Sequence, residues 1–454
     1  MKKDPVFRVS VVLVLTFGLI GFLRPIQLGK ITSYLHSGII HNLGWFYQLA
    51  AFFFLGFCFF LAFGRYGNIR LGKDNDKPEY SYFAWFSMLF AAGMGIGLVF
   101  WGVAEPLSHY VNPPEYIPPN TGSSAAFAMR YSFFHWGFQP WAIYIVVSLS
   151  LAYFIFRRGL PPVVSSCFYP ILGDRTRQFP GHVINTLAVF ATVFGVATSL
   201  GFGAMQIVSG LNFLYGIPNS ILTAIIVIAV VTVFYMASSL TGLDKGIQTL
   251  SKLNMYLVFL LMFAMMIVGP TAYILNVFIS TTGSYLFNLV EMSLQTFPFR
   301  GMDWAETWTL FYWAWWIAWS PFVGLFIARI SKGRTIKEFV LGTLLAPSLL
   351  TFLWFSIFGG TGLYLELEAG AGLAEKAATD FPTALYLMFD YLPFSNFLSF
   401  VALILLFIFF ITSADSATFV LGMMTSEGNL TPPTSKKVAW SPVDWQLCNK
   451  RRLP

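Results

Sequence analysis

The chain has 454 residues, 57% hydrophobic and only 10% charged, a composition that no single water-soluble core can bury and that places it in lipid. Its net charge of +7 would suit a nucleic-acid ligand, but the basic residues sit in short clusters at the ends of apolar segments, so no nucleic-acid partner is expected. Apolar stretches long enough to cross roughly 30 Å of hydrocarbon as helices recur along the sequence, and the ten-residue alternation of a barrel is absent.

Lys2, Lys3 and Arg8 precede the first apolar run, and no small-residue cleavage site follows Leu23, so this segment reads as an uncleaved span. Apolar windows between charges and Pro/Gly breaks give ten spans, near residues 9–23, 43–63, 82–105, 133–156, 184–210, 221–238, 255–278, 308–330, 339–362 and 397–424. The clusters Arg65 to Lys77, Arg157 to Arg177, Lys245 with Lys252, Arg329 to Lys337 and the tail from Lys436 all fall on the side of the N-terminus. Of 27 basic residues, only Arg24, Lys30, Arg130, Arg300 and Lys376 fall on the other. The expectation is a multi-pass protein of the inner or plasma membrane with a cytoplasmic N-terminus. Ser284 to Gln295, apolar at Leu286, Leu289, Val290 and Leu294, reads as an interfacial amphipathic helix. Cys58, Cys167 and Cys448 form no CxxC pair and point neither to a transition metal nor to disulfides.

The third span carries Gly93-Met94-Gly95-Ile96-Gly97 at its middle. Each glycine costs a helix about 1 kcal/mol relative to alanine. A helix unwound there frees carbonyls that must line a polar cavity or bind an ion. The alternative is close helix packing, which favours glycines at i and i+4 and leaves Gly95 unexplained.

The fourth span offers Trp136, Trp141 and Tyr144, with Pro140 bending the helix between the two tryptophans and Trp141 and Tyr144 on one face. The eighth span holds five tryptophans in the twelve residues Trp308 to Trp319; Trp308, Tyr312, Trp315 and Trp319 line one face, with Trp316 about a third of a turn away. A fully methylated ammonium has no N–H to donate, and the negative faces of several rings recognise it instead. An interfacial belt is the competing reading, and it suits Trp101 and Trp308; Trp315, Trp316 and Trp319 lie too deep for it.

Near mid-membrane only Asp415 and, at a span end, Glu105 are acidic, which favours a zwitterion that brings its own carboxylate over a bare amine. The tenth span contains the polar run Thr412-Ser413-Ala414-Asp415-Ser416-Ala417-Thr418, whose hydroxyls either ligate a sodium ion or bond back to their own helix. His135 reads as a structural group rather than a proton relay, and Glu105 as a helix-end anchor rather than a ligand. The five histidines are scattered along the chain, so no catalytic cluster with Asp or Glu is expected and the chain is not read as an enzyme.

Gly93 through Glu105-Pro106, the tryptophan-rich eighth span and Thr412 to Ser416 together resemble the betaine/choline/carnitine transporter family, its glycine betaine uptake branch most closely, over the chain to about Ser435. The resemblance implies an all-α polytopic protein with the leucine-transporter-like inverted-repeat fold and a site midway between the repeats. It places a cage at Trp136, Trp141, Tyr144 and Trp316, with Trp315 and Trp319 lining the path and Ser199 facing the substrate, beside the glycines Gly93, Gly95 and Gly97. It implies a coupling sodium ion between the backbone of Ala91 and Met94 and the hydroxyls of Thr412 and Ser413, with no other cofactor. A second sodium site would use Thr192, where Val196 departs from the family pattern.

Residues 1–435 thus form one transporter domain, the first two spans peripheral and the third to tenth its core. Where the family continues through two more helices, 436–454 reads as an atypical short tail, so the expectation is a chain truncated after the tenth span. The expected function is sodium-coupled import of glycine betaine as an osmoprotectant by alternating access, with a homotrimer among the expected assemblies. A transporter or exchanger of choline, carnitine or another onium solute, and an inactive truncated family member, are the alternatives.

Overall fold

The computed structural model of the chain describes residues 4–241, 246–299 and 301–440, so Lys245, Arg300, Cys448 and the expected tail beyond Trp440 lie outside the described residues. Within hydrocarbon each backbone N–H and C=O must pair inside its own segment, and the apolar runs accordingly fold as helices. Among the described residues the only strand-like pairing is one isolated bridge, Arg70 with Thr335.

Local chemistry sets the helix ends. Asp4 caps α1 (Pro5–Leu23), its carboxylate accepting from the Phe7 N–H at 3.2 Å, with Pro5 at the first position. Pro25 opens α2 (Pro25–Phe63), which starts well before the expected residue 43. His36, His41 and Asn42 broke the apolar window there, yet their exposed side chains leave the helix intact. α3 (Tyr82–Gly93) and α4 (Gly95–Val111) follow, bent by 63° at Met94. A Thr121–Ser124 capping box starts α5 (Gly122–Trp136), and α6 (Phe138–Ala152) continues it past Gly137.

Then come α7 (Phe179–Tyr215), α8 (Ile221–Thr241) and α9 (Gln248–Val268). The expected seventh span, 255–278, runs across Gly269-Pro270. Gly269 is extended and Pro270 lacks an N–H, so α9 stops at Val268 and a separate helix, α10 (Thr271–Phe287), begins. The expected amphipathic helix Ser284 to Gln295 is likewise interrupted at Asn288; its second part is α11 (Leu289–Leu294), and Leu286, Val290 and Leu294 face outward. The chain continues through α12 (Phe311–Ile330), α13 (Ile336–Leu367), α14 (Leu373–Thr379), α15 (Ala384–Asp390) and α16 (Ser395–Met424).

Among the described residues nine helices are long and apolar enough to cross a membrane, or ten with the bent α3–α4 pair taken as one span. The protein is an all-helical, multi-pass membrane protein. α12 packs along α6 and α7, α16 along α7, α8 and α9, and α4 against α5, α13 and α16, which puts the α3–α4 bend at the centre of the bundle. α1 and α2 bury little of their apolar surface.

At the basic end of the bundle Arg334, 1% exposed, donates to Glu338 at 2.7 Å and to the Tyr80 carbonyl at 2.9 Å, and its guanidinium lies 3.9 Å from the Trp85 ring centroid. It ties the α12–α13 turn to the segment entering α3. Arg334→Met strands those acceptors and should cost about 2–3 kcal/mol, with Arg334→Lys recovering only part, as thermal unfolding in detergent will measure.

Candidate functional site

Met94 still donates to the Phe90 carbonyl at 3.0 Å, and the helical ladder stops there, with φ −134° and ψ −16° at Met94. The carbonyls of the last turn of α3 therefore lose their helical donors at mid-bundle. Ala91 is one of them, and the Ser413 hydroxyl of α16 lies 3.5 Å from its oxygen.

Both readings of the glycine run hold at once. A Cβ on Gly93 would stand 2.8 Å from Trp141 Cη2, one on Gly97 2.7 Å from Trp136 Cη2, and one on Gly95 2.6 Å from Phe409 on α16. The i+2 glycine that packing of two helices left unexplained thus seats a third, on the opposite side of the break. Gly97→Ala forces the Trp136 ring to move and should weaken solute binding by about 1–3 kcal/mol, roughly 5- to 100-fold, read from tryptophan fluorescence titrations.

Trp136, Trp141 and Tyr144 are 0% exposed and Trp316 1%. Trp136 meets Trp316 edge-on at 5.0 Å and Tyr144 meets Trp316 at 6.2 Å, while Trp141 stands 5.8 Å from Tyr144. Trp315 stacks on Trp316 at 4.9 Å with 10° between planes, so the eighth-span wall is two rings thick. Trp319 extends it at 6.5 Å from Trp315. α7 faces this wall: a Cβ on Gly195 would collide with Trp319, and Phe202 lies 5.6 Å from Trp315. Ser199 falls between those two on the same helix face, its hydroxyl buried without a hydrogen-bond partner. Trp101 is no belt residue; it is 5% exposed, edge-on to Trp308 at 5.7 Å.

The bend between Trp136 and Trp141 lies at Gly137, where α5 ends with φ −95° and ψ −128°. Pro140, expected to cause it, sits in the first turn of α6, where its missing N–H leaves nothing unpaired. The break frees the His135 carbonyl, and the Trp316 indole N–H donates to it at 3.1 Å.

Glu105 is more than a helix-end anchor. Its 0%-exposed carboxylate accepts from the Trp136 indole N–H at 2.6 Å and from the Tyr312 hydroxyl at one oxygen. At the other it meets His135 Nδ1 at 2.7 Å and His109 Nε2 at 3.2 Å. His135 Nε2 pairs with Thr309, and His109 Nδ1 has no partner. The expectation of scattered histidines fails here: α4 and α5 bring two of them to one carboxylate, with all three donor atoms within 4.8 Å. Every atom at the carboxylate is engaged with tryptophan, tyrosine or imidazole, which makes the cluster a hydrogen-bonded brace behind the cage rather than an open metal site. Sequence spacing showed His109 one turn from Glu105; nothing local showed Trp136 or Tyr312 meeting it.

A family model described as betaine/carnitine/choline family transporter matches residues 5–444 of this chain, past Ser435, where the likeness was expected to stop. The chain belongs to that family. It is 48% identical to the glycine betaine transporter OpuD of Bacillus subtilis strain 168, over 96% of this chain and 85% of that protein. It is 43% identical to a probable glycine betaine transporter of Desulfitobacterium hafniense, covering 97% and 88%, and 43% identical to an ectoine/hydroxyectoine transporter of Virgibacillus pantothenticus, covering 96% and 87%.

In this member of the betaine/carnitine/choline transporters the cage keeps several polar atoms uncommitted. Trp141 Nε1, Tyr144 Oη, Trp315 Nε1, Trp319 Nε1 and Ser199 Oγ are buried without hydrogen-bond partners. Such atoms are costly unless a polar ligand meets them, and together they provide donors for a carboxylate beside rings suited to a cation. Of the four expected sodium ligands, Ser413 and Ala91 come together. Thr412 turns to α9, accepting from Asn254 Nδ2 at 3.0 Å, and the Met94 carbonyl accepts from the Leu98 N–H at 2.9 Å. Thr192 is buried with a free hydroxyl one turn before Val196.

Proposed function

We propose that the protein imports glycine betaine across the plasma membrane, coupled to sodium entry, by alternating access of a site between inverted helix repeats. The observation that carries this reading is the Trp136, Trp141, Tyr144 and Trp316 cage with its uncommitted indole and hydroxyl donors. The rings take the trimethylammonium, and the Trp315, Trp319 and Ser199 donors take the carboxylate. Sodium is held by Ser413 and the Ala91 carbonyl released at the α3–α4 break, with Met94 and Thr412 completing the set after small shifts. The basic end of the bundle, and with it the N-terminus, faces the cytoplasm. The poorly buried faces of α1 and α2 are lateral surfaces for lipid and for assembly as a homotrimer.

The test is uptake of labelled glycine betaine into proteoliposomes holding the purified chain. Accumulation above the external concentration is expected with an inward sodium gradient and not with potassium. Betaine uptake indifferent to the cation refutes coupling. The Virgibacillus relative favours one second reading, a cyclic amidinium zwitterion as cargo; unlabelled ectoine outcompeting betaine, choline and carnitine would establish it.

A further inference from the structure

α6 starts at a break, and a helix start leaves its first N–H groups without partners inside the helix. Gly137, the residue before it, has no side chain with which to cap them, and Pro140 removes one of them outright. The Phe138 N–H is met instead from another element, donating to the Tyr285 hydroxyl of α10 at 3.2 Å. That hydroxyl donates in turn to Gln139 Oε1 at 3.0 Å, and Gln139 Nε2 donates to Ser293 Oγ of α11 at 2.9 Å. Tyr285 and Gln139 are 0% exposed and Ser293 1%, so bulk water cannot stand in for these bonds.

Apolar contacts gather at the same place. Phe352 of α13 stacks on Phe133 of α5 at 4.4 Å, and a Cβ on Gly137 would lie 2.8 Å from its ring. The Tyr285 ring meets Phe352 at 5.1 Å and Phe138 at 5.5 Å. Ring contacts tolerate sliding and tilt, whereas a hydrogen bond at the first peptide of α6 has a preferred line. The segment that supplies it also reaches the aromatic wall. Just past α11, the Gln295 carbonyl accepts from Gln48 Nε2 of α2 at 3.1 Å, and Gln48 Oε1 accepts from the Trp313 indole of α12 at 2.8 Å.

Trp136 precedes the break and Trp141 and Tyr144 follow it, so the direction in which α6 leaves Gly137 decides how far apart these rings stand. We propose that Tyr285 is a positioning residue for the aromatic cluster. With Gln139 and Ser293 as its partners it sets the angle between α5 and α6, acting through the backbone at Phe138. Its effect on solute affinity rests on the cage reading above; its effect on the angle does not.

The experiment places spin labels on the full-length chain through Ser123→Cys and Arg158→Cys, both exposed and on opposite sides of the break, with the native cysteines replaced by alanine. Pulsed electron–electron double resonance without solute then reports the α5–α6 angle. Tyr285→Phe should shift or widen the distance distribution, and Ser293→Ala, which frees Gln139, should do so less. Tyr273→Phe, about 18 Å along α10 and beside Tyr364, should leave it unchanged. In proteoliposomes Tyr285→Phe should raise the half-saturating betaine concentration about five- to tenfold and keep the maximal rate per folded chain within about twofold. Mere loss of folded protein does not produce that split. Near-ultraviolet circular dichroism checks folding, and Ser293→Ala decides the matter if Tyr285→Phe does not fold. Native distances in the variants that fold, or an equal shift in Tyr273→Phe, overturn the proposal. Changed distances with a native betaine midpoint uphold the positioning role and refute the cage reading alone.

Discussion

Replacing Trp316 by Leu should reduce glycine betaine uptake at sub-saturating concentration by about two orders of magnitude. The ring is one wall of the cage, and a desolvated cation–π contact contributes about 2 kcal/mol. It is also sandwiched between Trp315 and Trp136, whose mutual placement loses roughly another 1 kcal/mol without it. The sum of about 3 kcal/mol corresponds to a factor of about 100. The leucine further strands the His135 carbonyl that the indole N–H now satisfies. Trp316→Phe keeps a π face without that bond and should fall between the two. Initial-rate uptake over a range of betaine concentrations is the measurement; equal rates for the Leu variant and the native chain would remove the cage from the site.

Glu105→Gln should be nearly as damaging although Glu105 touches no solute. The carboxylate receives four groups, two at each oxygen. A carboxamide accepts at one oxygen only and turns an NH₂ donor toward the other pair. If the NH₂ faces Trp136, its indole N–H is left buried and unpaired, and if it faces the histidines they must change tautomer. Each orphaned donor costs about 1–3 kcal/mol. Part of that loss falls on the position of Trp136 and part on stability. A rise in the half-saturating betaine concentration of about tenfold or more, with protein still folded by circular dichroism, is the expected result. Glu105→Asp, which keeps two accepting oxygens on a shorter stem, should retain more affinity than the glutamine variant. Glutamine and aspartate variants both binding like the native chain would reduce the cluster to a packing element.

The aromatic cluster proposed as the cage was legible in the sequence because its signal is local. Trp141 and Tyr144, and Tyr312, Trp315, Trp316 and Trp319, are ordered by helical periodicity alone, and the structure keeps that order. The glycine break was legible for a similar reason, through backbone cost. What escaped was set by distant partners. Glu105 meets residues 31 and 207 positions away, and Thr412 meets one 158 away, pairings that no window of sequence contains. Boundary errors had different causes. Pro140 is harmless in a first turn while Gly137 is not, Gly269-Pro270 sits inside an apolar run that hydropathy reads straight through, and the polar residues of α2 interrupt hydropathy without interrupting the helix.

Gly137 also decides how the cage can come apart. Trp136 is the last residue of α5, held to Glu105, whereas Trp141 and Tyr144 ride on α6. The two sides of the aromatic cluster are therefore carried by different helices that meet at a break in the backbone. A few degrees of swing at that glycine would part them with the side chains still in their rotamers. On the function proposed above, a cation held between them would resist the swing, and the solute would act as the latch of the same joint that must open to let it go.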